Sequence, residues 1–83
     1  MYKLIVSPHA QKELKKIKKI YERAISAALE DIREDPYISK PLIEELIGKY
    51  TYKVGVYRII YKINNKDKIV NILTAGHRAR VYQ

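Results

Sequence analysis

Tyr50-Thr51-Tyr52-Lys53-Val54-Gly55-Val56-Tyr57-Arg58-Ile59-Ile60-Tyr61 is the stretch whose reading decides the fold. Its period is two. Tyr50, Tyr52 and Val54 fall on one side of an extended chain and Thr51 and Lys53 on the other. After a tight turn at Gly55-Val56, Tyr57, Ile59, Tyr61 and Ile63 share one side, and Arg58, Ile60 and Lys62 share the opposite one. The pattern predicts a hairpin with one apolar and one basic face. Asn64-Asn65-Lys66-Asp67 is a turn sequence, and residues 68–75 form a third, more continuously apolar strand suited to the middle of a sheet.

Upstream, residues 2–6 read as a short strand. Ser7-Pro8 then supplies an N-cap followed by proline at the first helical position. Ala10, Leu14, Ile17 and Tyr21 recur at helical spacing, with Lys12, Lys15, Lys16, Lys18 and Lys19 on the remaining, solvated faces. A second helical pattern runs through Ile25, Ala28, Leu29 and Ile32 until Pro36 ends it. No Gly or Pro marks the break near residues 19–22, so one bent helix also fits the pattern. A helix of about thirty residues would be as long as the whole domain is wide, which favours an antiparallel pair. Residues 36–49 connect to the hairpin, with Leu42, Ile43, Leu46 and Ile47 available to pack and Gly48 at the end. The predicted class is α+β: a small antiparallel-meander sheet in the order β-α-α-β-β-β, with a helical hairpin packed on one face and the other face partly open.

The chain has 83 residues, enough for one apolar core, so a single domain spanning 1–83 is expected. No cysteine is present, which excludes disulfides, thiolate metal sites and Cys nucleophiles together. The longest apolar runs fall far short of the roughly 18 to 20 residues that span a bilayer, and residues 1–4 resemble no secretory leader. A cytoplasmic protein without membrane contact is the expectation. The formal net charge of +8 is unevenly spread: residues 1–45 carry nine Lys/Arg against eight Asp/Glu, and residues 46–83 carry eight Lys/Arg against Asp67 alone. A one-sided cationic surface attracts polyanions, of which nucleic acid leads. Glu30, Asp31, Glu34 and Asp35, at the end of the second helix, balance the lysines of the first.

Metal-free cleavage of RNA through its own 2′-hydroxyl needs a base, an acid for the leaving 5′-oxygen, and cations for the charge that builds on phosphate. The basic half offers Lys53, Arg58, His77, Arg78, Arg80 and Tyr82. No His–carboxylate cluster has metal-ligand spacing, and no cofactor is expected. Gly55-Val56-Tyr57-Arg58-Ile59-Ile60-Tyr61, followed by Ile72-Leu73 and Gly76-His77-Arg78-Ala79-Arg80-Val81-Tyr82, resembles the RelE/ParE superfamily of type II toxins, on the RelE side.

That resemblance implies a ribosome-dependent endoribonuclease that cuts messenger RNA in the A site and is held inactive by a RelB-like antitoxin. Its partners would be the antitoxin, the ribosome and the message. The resemblance assigns Arg58 to phosphate stabilisation, Arg78 to phosphate contact or the leaving group, and Tyr82 to stacking on a substrate base. Lys53 matches the basic residue on the strand before the turn. A free lysine, with a pKa of about 10.4, is a poor base near neutrality, and adjacent cations favour its neutral form. Thr51 stands where ribosome-dependent members often carry a second basic residue, so His77 is the other candidate proton carrier, since free histidine has a reference pKa of about 6.5. Lys49, Thr51, Lys62 and Arg80 complete the expected RNA-binding set. The structural alternatives are a salt bridge from Arg58 to a helix carboxylate, a structural His77, an exposed cation at Arg80, and core tyrosines at 50, 52, 57 and 61. His9 reads as a surface or capping residue. Two other functions fit the same architecture: a ParE-like inhibitor of DNA gyrase, and a catalytically weak homologue that only binds its antitoxin.

Overall fold

The computed structural model describes residues 1–38, 40–41 and 48–77. The chain runs β1 (Lys3–Val6), α1 (Pro8–Lys15), a 3-10 turn (Lys19–Tyr21), α2 (Glu22–Glu34), a second 3-10 turn (Pro36–Ile38), β2 (Lys40–Pro41), β3 (Lys49–Val54), β4 (Tyr57–Asn64) and β5 (Ile69–Thr74). The strands form one sheet in the order β1-β5-β4-β3-β2. As the periodicity predicts, β3, β4 and β5 are an antiparallel meander. Two features were not foreseen: β1 joins β5 in parallel, which makes the sheet mixed, and the connection contributes the short β2 against β3. Leu42, Ile43, Leu46 and Ile47 lie outside the described residues.

Local chemistry sets the element ends. Ser7 caps α1, its hydroxyl accepting from the Ala10 amide at 3.0 Å, and Pro8 opens the helix without wasting an amide donor. The same hydroxyl donates to the Leu73 carbonyl at 3.0 Å, and the Ser7 amide donates to the Ile72 carbonyl, so the start of α1 is stitched to β5. α1 and α2 are indeed separate helices, parted by a tightened turn in place of a glycine. Gly55 takes φ +59° at the first central position of the two-residue β3–β4 loop, the requirement of a II′ hairpin. A Cβ there would also meet the Tyr21 ring at 3.4 Å.

The core lies between the helices and one sheet face. Ala10, Ile25, Ala28 and Ile32 pack against Val54, Ile59, Tyr61, Val70 and Ile72, with Tyr50, Tyr52 and Tyr57 half-buried around them. Tyr61 stacks on Tyr50 with ring centroids 5.7 Å apart, and its buried hydroxyl donates to the Pro36 carbonyl at 2.6 Å. Without the hydroxyl that carbonyl loses a buried partner, so Tyr61→Phe should cost about 1–3 kcal/mol. Each kcal/mol corresponds to roughly 4–8 °C of Tm in a domain this small, so a thermal melt of the variant measures the loss directly.

Candidate nucleic-acid interface

Because residues alternate along a strand, burying Ile59 and Tyr61 under the helices turns Arg58 and Lys62 to the other sheet face. The β3–β4 register sets Lys53 opposite Arg58, Thr51 opposite Ile60, and Lys49 opposite Lys62. Lys53 and Lys62 are exposed, while Lys49, Thr51 and Arg58 are half-buried. Two pairs of like charges therefore stand across one antiparallel ladder. Lys3 joins them on the same face, since its neighbours Leu4 and Val6 on β1 pack into the core; sequence reading did not single out this cation. Ile60, 4% exposed, lies outside the main core cluster, so this face also holds an apolar floor. The Thr51 hydroxyl is buried beside it with no hydrogen-bond partner among the described residues.

The loop after β5 meets the start of β4. The Arg58 amide donates to the Gly76 carbonyl at 2.9 Å, and Tyr57 and His77 form an antiparallel bridge. The His77 ring stands edge-on to Tyr57 at 6.1 Å, and Tyr57 is edge-on to Tyr21 at 5.2 Å. His77 is thus brought next to the Arg58 backbone, with its ring on the Tyr57 side of the ladder. Arg78, Arg80 and Tyr82 lie outside the described residues. His9 is exposed on α1, 3.2 Å from Glu13, as expected for a surface residue.

A family model for the ParE toxin of type II toxin-antitoxin systems matches residues 4–82. The chain belongs to this RelE/ParE superfamily. It is 33% identical over 76 residues to Toxin RelG of Mycobacterium tuberculosis (strain ATCC 25618 / H37Rv), which spans 89% of this chain and 87% of that one. Among solved structures it resembles the toxin-antitoxin complex RelBE2 from Mycobacterium tuberculosis, with a TM-score of 0.81, 30% identity, and coverage of 93% of this chain and 98% of that chain. The archaeal RelE-RelB complex from Pyrococcus horikoshii OT3 gives 0.75 at 25% identity, covering 96% and 98%. The isolated E. coli RelE toxin shares the fold, at 0.81 and 23% identity over 99% and 92%. This is a RelE-like type II toxin.

Sequence reading of the toxin missed one more constellation, on α1. Glu13 Oε1 accepts from the Ala75 amide at 3.0 Å and from the Thr74 hydroxyl. Only its i, i+4 spacing from His9 was visible in the sequence. A second helix carboxylate, Asp31, accepts from the Tyr52 hydroxyl at 3.1 Å, fixing β3 to α2.

Burial pushes the Tyr52 pKa above its ordinary 10.0, and the hydrogen bond to Asp31 and that residue's charge push the same way. A group whose folded pKa is raised contributes stability that is complete below the unfolded value and lost as pH rises toward the folded one. Stability of the toxin should therefore fall above about pH 10, and Tyr52→Phe should flatten that component in alkaline melts. Lys62→Glu tests the sheet face. It replaces a like-charge pair with an opposite one facing Lys49, so at low salt it should raise stability by roughly 0.2–1 kcal/mol, with the gain shrinking in high salt, while RNA retention on a filter falls.

Proposed function

We propose that this toxin is a metal-independent endoribonuclease that cuts messenger RNA in the ribosomal A site, and that a RelB-like antitoxin neutralises it. The observation that carries the reading is the pair of like-charge cross-strand contacts, Lys49 with Lys62 and Lys53 with Arg58, on the face the helices leave uncovered. Such pairs cost the free protein stability. A phosphate chain laid across them turns the same repulsion into attraction, and each neutralised phosphate releases counterions.

In the reaction the substrate 2′-oxygen bonds to phosphorus as the bond from phosphorus to the 5′-oxygen breaks, leaving a 2′,3′-cyclic phosphate. The 2′-hydroxyl proton passes to a base, and a second proton reaches the departing 5′-oxygen. Arg58, paired with Lys53 across the ladder and held at its backbone amide by the Gly76 carbonyl, takes the role of stabilising charge on the phosphate. Lys53, directly across the ladder, is assigned the 2′-hydroxyl proton, while His77, whose ring stands against Tyr57 on the helix side of the sheet, takes no part in that transfer. By the family resemblance, Arg78 contacts the phosphate or assists the leaving group and Tyr82 stacks on a base. Lys49, Thr51, Lys62 and Arg80 bind the flanking backbone. Residues 1–83 act as one domain in the cytoplasm, where the ribosome is. The antitoxin reading draws on the RelBE2 and RelE-RelB complexes, in which related toxins are bound by their antitoxins.

Purified toxin should cut ribosome-bound message, and Arg58→Ala should slow the cutting by about 10²–10³-fold with an unchanged far-UV spectrum. Cleavage by Arg58→Ala at the parental rate overturns the assignment. Inhibition of gyrase supercoiling in the absence of ribosomes would establish the ParE-like activity in its place.

A further inference from the structure

We infer that Glu13, on α1, is a positioning residue that holds the corner between β5 and His77 against the backbone of Arg58; its consequence for cleavage rests on the function proposed above. One carboxylate oxygen gathers three groups. It accepts from the Ala75 amide at 3.0 Å and from the Thr74 hydroxyl, and His9 Nε2 lies 3.2 Å away. Thr74 is the last residue of β5, so this oxygen seizes the chain where it leaves the sheet and loses its ladder partners. Two residues on, the corner is back in contact with the candidate site, through the Gly76 carbonyl that accepts from the Arg58 amide and through the Tyr57–His77 bridge.

The path from Glu13 to Arg58 thus consists of two hydrogen bonds joined by one peptide unit. Ala75 is fully buried, and the Glu13 side chain is 21% exposed. Water therefore competes poorly for the Ala75 amide, and a buried donor without an acceptor is costly enough to move the chain. Ser7 provides the contrast. It grips the same strand one and two residues earlier, at Leu73 and Ile72, but its bonds close the α1 cap and end before the corner. Ser7 and Glu13 both fasten α1 to β5, yet of the two only Glu13 fastens the segment that carries His77 and leads in sequence to Arg78.

The experiment compares Glu13→Ala, Glu13→Gln, Thr74→Val and Ser7→Ala in single-turnover cleavage of ribosome-bound message and in amide hydrogen exchange. Glu13→Ala should lower the cleavage rate constant by roughly tenfold at unchanged half-saturation, the signature of misplacement rather than lost binding. It should also speed exchange at Ala75 and Arg58 while amides in α2 stay protected. Glu13→Gln keeps an amide oxygen able to accept from Ala75 and should recover most of the rate. Thr74→Val, which preserves strand propensity and removes one donor, should shift rate and exchange in the same direction by less, and it serves if Glu13→Ala does not fold. Ser7→Ala should lower Tm and leave the cleavage rate constant unchanged. Parental cleavage and parental exchange at Ala75 and Arg58 in both Glu13→Ala and Thr74→Val overturn the inference. So does a rate loss that Ser7→Ala reproduces in full. If parental toxin cuts no message, the proposed function falls, and the exchange data alone then decide whether Glu13 holds the corner.

Discussion

The packing of α1 and α2 on β4 governs the rest of this toxin. Ile59 and Tyr61 are fully buried, and they sit on the central part of the sheet against Ala10, Ile25, Ala28 and Ile32. A slip of one residue would put Arg58, Ile60 and Lys62 under the helices, leaving cations in an apolar layer, so the register is strongly specified. With β4 fixed, β3 and β5 inherit their registers from its ladder. The cationic face needs no separate instruction, because it is what remains when the apolar period is satisfied.

That arrangement sets two opposing terms against each other. Burial of a large aliphatic or aromatic side chain is worth about 1.5–3 kcal/mol, whereas a like-charge cross-strand pair costs a few tenths to 1 kcal/mol. The helix side can therefore tolerate Lys49 facing Lys62 and Lys53 facing Arg58. The excess charge is nonetheless concentrated where it repels most, instead of being dispersed over α1 and α2, where acids and bases nearly balance. Concentration of this kind is a stability cost that an anionic ligand removes, which is why the geometry reads as an interface.

Most of the scaffold was legible because it is written in local periods. The hairpin, the Ser7-Pro8 start, the end of α2 before Pro36 and the helix-side tyrosines all follow from spacing within a dozen residues. The parallel pairing of β1 with β5 was not legible, since nothing in residues 3–6 names a partner more than sixty positions away. Lys3 went unnoticed for the same reason: its face is defined only once β1 is placed. Glu13 was harder still. Its side chain looks like one more charge on a helix of lysines, and its partners lie 61 and 62 residues downstream. In the candidate site, the Lys53–Arg58 juxtaposition follows from the two-residue loop at Gly55-Val56. The side on which the His77 ring lies follows from a bridge that no local pattern announces.

A core confined to one face also bears on how such a toxin can be regulated. The free molecule has one covered and one charged face, and any ligand that binds the folded form alone stabilises it in proportion to the logarithm of its concentration over Kd. On the function proposed above, an acidic antitoxin segment and an RNA strand would both answer the cations on the exposed face, and occupancy by one would oppose occupancy by the other without a conformational change. Competition of this sort demands that the cationic residues be held in place beforehand, because a mobile cluster loses entropy with either partner. The Glu13 bond to β5, the Tyr52–Asp31 bond to β3 and the Tyr61–Pro36 bond behind β4 distribute that restraint over all three strands of the meander. Each originates on the helical side of the molecule, where acids and carbonyls are plentiful, and each leaves the cationic face clear.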